Sequence, residues 1–245
     1  MKRALWISLA GLVAFAAVLV ARLPADWIVP SGPQAPFACT TLEGTLWSGT
    51  CGGLILQGRP YGELSWELQP LKLLRARVGA HLTLSAPAAQ ATADAEFGLG
   101  GTLTARNVRA ELTLDPKLLP GVPPQLHGQA HLDLPLVLLK GGALRQLKGT
   151  IEAHDLEDRA GHVTPLGSYA VSFPGGDGEP VGQIKDIGGP LSLQGTLRLP
   201  RQGGYDLEGF VATRPEAAPE LINNLRFLGS PDASGRRQFT MTGTF

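Results

Sequence analysis

The sequence predicts a mainly β protein: an elongated, curved antiparallel sheet behind one N-terminal transmembrane helix, with a short helix near the C-terminal end. Three observations carry that expectation. Apolar and polar residues alternate with a period of two through most of the chain, which puts each apolar set on one face of a strand. Glycine (32) and proline (20) punctuate the alternating segments as turns require. A wet face opposite a dry face indicates antiparallel pairing, and a dry face of Leu, Ala and Gly with only 6% aromatic residues overall favours curvature into a half-barrel or groove.

The elements follow in chain order. Residues 1–3 carry Lys2 and Arg3, and the run ALWISLAGLVAFAAVLVA at 4–21 contains no charge and a single polar side chain, Ser8. As a helix it reaches about 27 Å, close to the ~30 Å hydrocarbon core of a bilayer. A cleaved signal peptide has a shorter apolar stretch and small residues at its cleavage site, whereas this run ends in bulky VLVARLPADW. The expectation is a retained anchor over 4–22, including Ala4, Trp6, Phe15 and Ala21. Lys2 and Arg3 keep residues 1–3 cytoplasmic and send the rest across the membrane. Residues 23–36 are Pro-rich and read as a linker, with Trp27 either an interfacial anchor or an ordinary linker residue. Residues 37–245 read as one β domain.

Within that domain the alternation is explicit. Leu64, Trp66 and Leu68 share a face, as do Val78, Ala80, Leu82 and Leu84, and then Ala91, Ala93, Ala95, Phe97 and Leu99. QLHGQAHLDL sets Leu126, Ala130, Leu132 and Leu134 against polar His127, Gln129, His131 and Asp133. Leu191, Leu193, Leu197 and Leu199 continue the pattern, and Phe239, Met241 and Phe245 close it. The phase slips after Ala105, which predicts a bulge or a strand break. PLKLLRA at Pro70 suggests one short helical turn. In PEAAPELINNLRFLG, Leu221, Leu225 and Leu228 have helical spacing and Gly229 follows, so a helix of about three turns is expected over 216–228.

Charge and chemistry narrow the function. The formal net charge is zero and no basic run survives past residue 3, which argues against nucleic acid as a partner. Cys39 and Cys51 are the only cysteines, and across a membrane two so close together read as one disulfide. His127 and His131 would share a metal on a helix, but on a strand they stand about 13 Å apart. HDLEDRAGH gathers His154, Asp155, Glu157, Asp158 and His162; it is either a cation or acid–base loop or, more simply, a charged turn. Nucleophile-elbow, phosphate-loop and dinucleotide motifs are absent. The chain is therefore expected to be no enzyme, with no catalytic, cofactor or metal residues. Trp47, in TLEGTLWSGTCGG, and Trp66 are expected as structural or partner-surface residues. Trp47 could be an interface hot spot, but the expectation is core beside the cysteine pair, as most tryptophans are.

Several stretches in order resemble the type II secretion system protein N family: GTLWSGTCGGLIL, GELSWELQPLKLLRARV, GPLSLQGTLRLPRQGGYDLEGFVATRPEAAPEL and LRFLGSPDASGRRQFTMTGTF. The resemblance covers both ends of the domain and leaves the middle, about 90 to 165, matched only in its strand rhythm. It implies a non-enzymatic single-pass protein of the bacterial inner membrane, its C-terminal domain periplasmic, in a machine that exports folded proteins across the outer membrane. The partners it implies are inner-membrane platform proteins and the outer-membrane secretin. The cysteine pair is not a feature the resemblance supplies. The same Gly- and Leu-rich β pattern is also similar to AsmA-like envelope proteins, which keeps lipid handling in a β-groove as the alternative.

Overall fold

Alternation of period two over this length builds strands that each turn back on the last, and the computed structural model shows that meander. It describes residue 11 and residues 18–27, 37–56, 58–114, 122–201 and 203–244. The strands are β1 (Phe37–Ala38), β2 (Thr41–Gly44), β3 (Ser48–Leu56), β4 (Arg59–Leu68), β5 (Arg77–Ala86), β6 (Ala89–Gly98) and β7 (Thr102–Thr113). They continue as β8 (Leu126–Lys140), β9 (Ala143–Asp158), β10 (Thr164–Pro174), β11 (Val181–Gly188), β12 (Leu191–Arg198), β13 (Tyr205–Thr213) and β14 (Arg237–Gly243). All fourteen belong to one antiparallel sheet. From β3 to β14 each strand pairs with the next, while β1 and β2 both pair with β3, on its C-terminal and N-terminal halves respectively. The sheet is open, with β1 and β2 along one edge and β14 along the other.

Bulges interrupt the ladder where the sequence changes phase. The slip after Ala105 leaves β7 continuous and is absorbed at Asn107, whose φ of 51° places two residues of β7 opposite one of β6. Asn tolerates that left-handed conformation better than most residues, and its side-chain amide donates to Asp94 Oδ2 at 2.9 Å. In β8 the register with β9 shifts between Asp133 and Leu136, around Pro135, which lacks the N–H that a regular ladder would use. Asp155 in β9, with φ 50°, makes a third such step. Bulges of this kind bend a strand and raise its twist.

Two apolar clusters gather on the dry face. Leu134, Leu147 and Phe173 form one, joined by partly buried residues that include Leu197 of β12, two strands beyond β10. Leu191, Val211, Ala217 and Leu221 form the other. The second is capped by α2 (Pro219–Leu225), which continues into a 3-10 turn at Arg226–Leu228. This helix is shorter than the expected three turns because Pro219 occupies its first position and Ala217 and Ala218 stay outside it. The Pro70 turn is α1 (Pro70–Leu73). No polar or charged side chain is buried among the described residues.

Most of the apolar run at 4–21, including Ala4, Trp6 and Phe15, lies outside the described residues, as do residues 28–36 of the linker and Phe245. Gly11 and residues 18–21, Ala21 among them, are helical. Among the described residues no helix is long and apolar enough to cross a membrane.

Candidate functional site

The start of the sheet is where sequence and structure concentrate. β1 and β2 are two pieces of one edge, broken at Cys39 and Thr40, and Cys39 bonds to Cys51 of β3 across a Cα–Cα distance of 5.3 Å. The link therefore closes the gap in the edge against the strand beside it. Directly after Cys51 the β3–β4 register shifts at Gly52 and Gly53, so these glycines lie inside β3 as a bulge.

Both tryptophans serve the same corner. Trp66 of β4 stands opposite Gly49 of β3, and a Cβ on residue 49 would come 2.5 Å from the Trp66 ring. Only glycine lets the indole lie flat across the strand. Trp66 Nε1–H donates to the carbonyl of Leu46 at 3.0 Å. Trp47 is half-buried, and its Nε1–H donates at 2.7 Å to the carbonyl of Val20, in the last helical turn of the N-terminal segment. Leu46 N–H donates to Leu23 at 2.8 Å, and Pro24 bridges to Thr45. Trp47 is thus a clamp on the incoming chain.

Beneath this corner the dry face holds an apolar cavity of about 240 Å³ lined by Ala25, Phe37, Leu42, Leu54, Leu64 and Trp66 together with the disulfide. It offers no acid, base or cation. It can hold hydrocarbon, and nothing in its lining can run a reaction.

The more chemical-looking segments resolve into local contacts. His127 Nδ1 lies 3.1 Å from the Gln125 carbonyl, while the His131 and His154 rings stand 5.1 Å apart with His154 Nε2 2.9 Å from Glu152. HDLEDRAGH is mostly strand: His154 to Asp158 belong to β9, Glu157 pairs with Arg159, and Asp158 accepts from Ala160 N–H at 2.8 Å. No group of three metal-ligating side chains forms among the described residues. One polar cluster lay beyond sequence reasoning because it joins β11, β12 and the segment after β13. Asp186 accepts from Leu193 N–H at 2.8 Å and pairs with Arg214, whose guanidinium also donates to Gly189 at 2.7 Å. Partial burial works against the ionised Asp186, but the Leu193 and Arg214 bonds outweigh it and hold the carboxyl below its usual value. Nearby Tyr169, pushed up to about 12 by burial and then by Asp186, donates to Leu166. The cluster ties strand ends together and holds no activated nucleophile.

Comparison with known proteins matches the chain to one family. The family model described as type II secretion system (T2SS), protein N, matches residues 35–240. A curated relative, type II secretion system protein N of Aeromonas hydrophila, is 29% identical over 248 residues, covering 96% of each chain. No solved structure matches the chain.

Proposed function

The chain belongs to the type II secretion system protein N family, and from that membership we propose a membrane-tethered, non-enzymatic part of the secretion machinery. Membership itself gives a role in type II secretion, a place in the cell envelope and other components of the system as partners. In the proposed arrangement residues 4–22 cross the inner membrane once, residues 1–3 stay in the cytoplasm, residues 23–36 link, and the β domain 37–245 stands in the periplasm. There it meets inner-membrane platform proteins and the outer-membrane secretin through surface contacts. The observation that carries the reading is the family match along almost the whole β domain. The clamp of Trp47 on Val20 supports it, since it fixes the sheet at the point where the apolar run ends. Removing the gene from its bacterium should stop export of folded substrates into the medium, and the full chain supplied in trans should restore it. Unchanged export in the deletion would contradict the reading.

The 240 Å³ apolar cavity favours one second reading, an AsmA-like β-groove that handles lipid. That reading expects acyl chains to copurify with the protein in a fixed ratio and to be displaced when Leu54→Trp fills the cavity. Lipid-free protein with full secretion activity would remove it.

A further inference from the structure

The two ends of the sheet differ. Because successive strands reverse, the β2–β3 turn, α1 and the β6–β7 turn share one end. The N-terminal segment docks at that end through Trp47, whose own carbonyl accepts from Leu68 N–H at 2.6 Å, two residues before α1. α1 then folds back over β5. Gln69 N–H donates to Gly79 at 2.8 Å, and Lys72 lies across Gly79, where any Cβ would collide with it, to pair with Glu96 of β6.

This folding leaves a set of large apolar side chains bare. Leu71 and Leu74 are 78% and 85% exposed, and Leu99 in the β6–β7 turn is 81% exposed. Phe97 and Val78, paired across β6 and β5 at the same end, are also exposed. A cluster of this kind on one end marks an interaction surface.

Its chemistry is not only apolar. A cavity of about 530 Å³ opens beside these residues, lined by Arg75, Arg77, Arg106 and Glu96. Arg77 and Arg106 each lie 3.6 Å from Glu96, which Lys72 also engages, and Arg75 has no acidic partner among the described residues. Three cations therefore share the Glu96 carboxylate, and Arg75 lines the same cavity. Guanidinium forks in excess suit phosphate oxygens, and exposed leucines beside basic residues suit the boundary between headgroups and acyl chains.

We propose that this end of the sheet seats on an anionic phospholipid surface, with Leu71, Leu74 and Leu99 in the acyl boundary and Arg75, Arg77 and Arg106 around headgroup phosphate. The proposal rests on the reading that residues 4–22 span the bilayer, and it adds a second contact that fixes the tilt of the domain. A lipid phosphate fits better than a free one because the flanking tips are apolar and the chain reaches this end from an apolar run. Each neutralised arginine should lower occupancy of the anionic surface about fivefold.

The test uses the full chain in vesicles whose phospholipids carry brominated acyl chains, which quench tryptophan on contact. Leu74→Trp reports the proposed surface and Phe227→Trp reports the opposite end of the sheet. In vesicles containing phosphatidylglycerol the signal added at 74 should be quenched and that added at 227 should not. Phosphatidylcholine alone, or Arg75→Gln with Arg77→Gln, should reduce the quenching at 74. Equal quenching of the signals added at 74 and 227 overturns the proposal, and quenching at 74 indifferent to lipid charge overturns the role of the arginines. Loss of quenching on adding inorganic phosphate would assign the cavity to a soluble anion, and a blue shift following protein concentration would assign the surface to a second copy; either overturns it. Retention of the chain in vesicles after alkaline carbonate reports the anchor separately, so failure of the spanning reading is distinguishable from failure of this one.

Discussion

Individual side chains at the start of the sheet do work that the sequence shows only in outline. Cys39 and Cys51 were legible as a pair because they are the only cysteines and lie close together. What they join, the two halves of a broken edge, was not legible, since the break depends on which strand each half meets. In the chain-entropy account such a loop contributes about 3 kcal/mol. Replacing both cysteines with alanine should therefore lower the melting temperature by about 6–12 °C in thermal denaturation. Thiol titration of the unreduced, denatured chain should find no free thiol. Trp47→Phe keeps an aromatic side chain, though a smaller one, and removes the N–H that bonds to Val20. It should cost about 1 kcal/mol and speed amide exchange around Leu46 and Trp47 while leaving the far end of the sheet unchanged. Asn107 invites a similar test: Asn107→Val, forced into φ 51°, should destabilise by about 1–3 kcal/mol, and Asn107→Gly by less, in chemical denaturation.

Strands were the most legible elements, because alternation survives wherever one face is drier than the other. Leu126 to Leu134 and Leu191 to Leu197 fall on the faces their spacing assigns, and Leu134 and Leu191 are buried. The bulges were half legible. A phase slip announces that a residue has been added, but only the partner strand's register shows that Asn107 absorbs it within a continuous β7. HDLEDRAGH was half legible: Arg159 to His162 lie in the turn between β9 and β10, but its charges masked that His154 to Asp158 finish strand β9. The basic cavity under α1 was invisible, because Lys72, Arg77, Glu96 and Arg106 come from three separate stretches and meet only through strand pairing. The α2 cap offers a prediction at this scale. Leu221 is buried against Leu191, Val211 and Ala217, so Leu221→Ala should cost about 2–5 kcal/mol in chemical denaturation.

At the scale of the whole molecule, stability should depend on a few carboxylates on the wet surface and strand ends. Asp94 is held below its usual value by Asn107 and then His81, Glu96 by Lys72, and Asp186 by Leu193 and Arg214 against the pull of burial. A carboxyl whose pKa falls on folding stabilises the fold above its unfolded value of about 4, and that contribution is lost as pH drops through the folded value. Acid unfolding should therefore steepen below about pH 4, and Asp186→Asn should flatten that limb when denaturation midpoints are measured against pH. The sheet also has a direction. Its docked end carries the N-terminal clamp, the bare leucines of α1 and the arginine cavity, whereas the other end carries α2, which packs Leu221 on the sheet and leaves Phe227 exposed. On the proposed arrangement the docked end faces the inner membrane, and β14 forms the edge of the sheet opposite β1 and β2. The most direct measurement is a topology reporter, alkaline phosphatase or β-lactamase fused after Phe245 of the full chain. The account predicts an active enzyme outside the cytoplasm, dependent on the apolar run at 4–21; a fusion active only in the cytoplasm would contradict it.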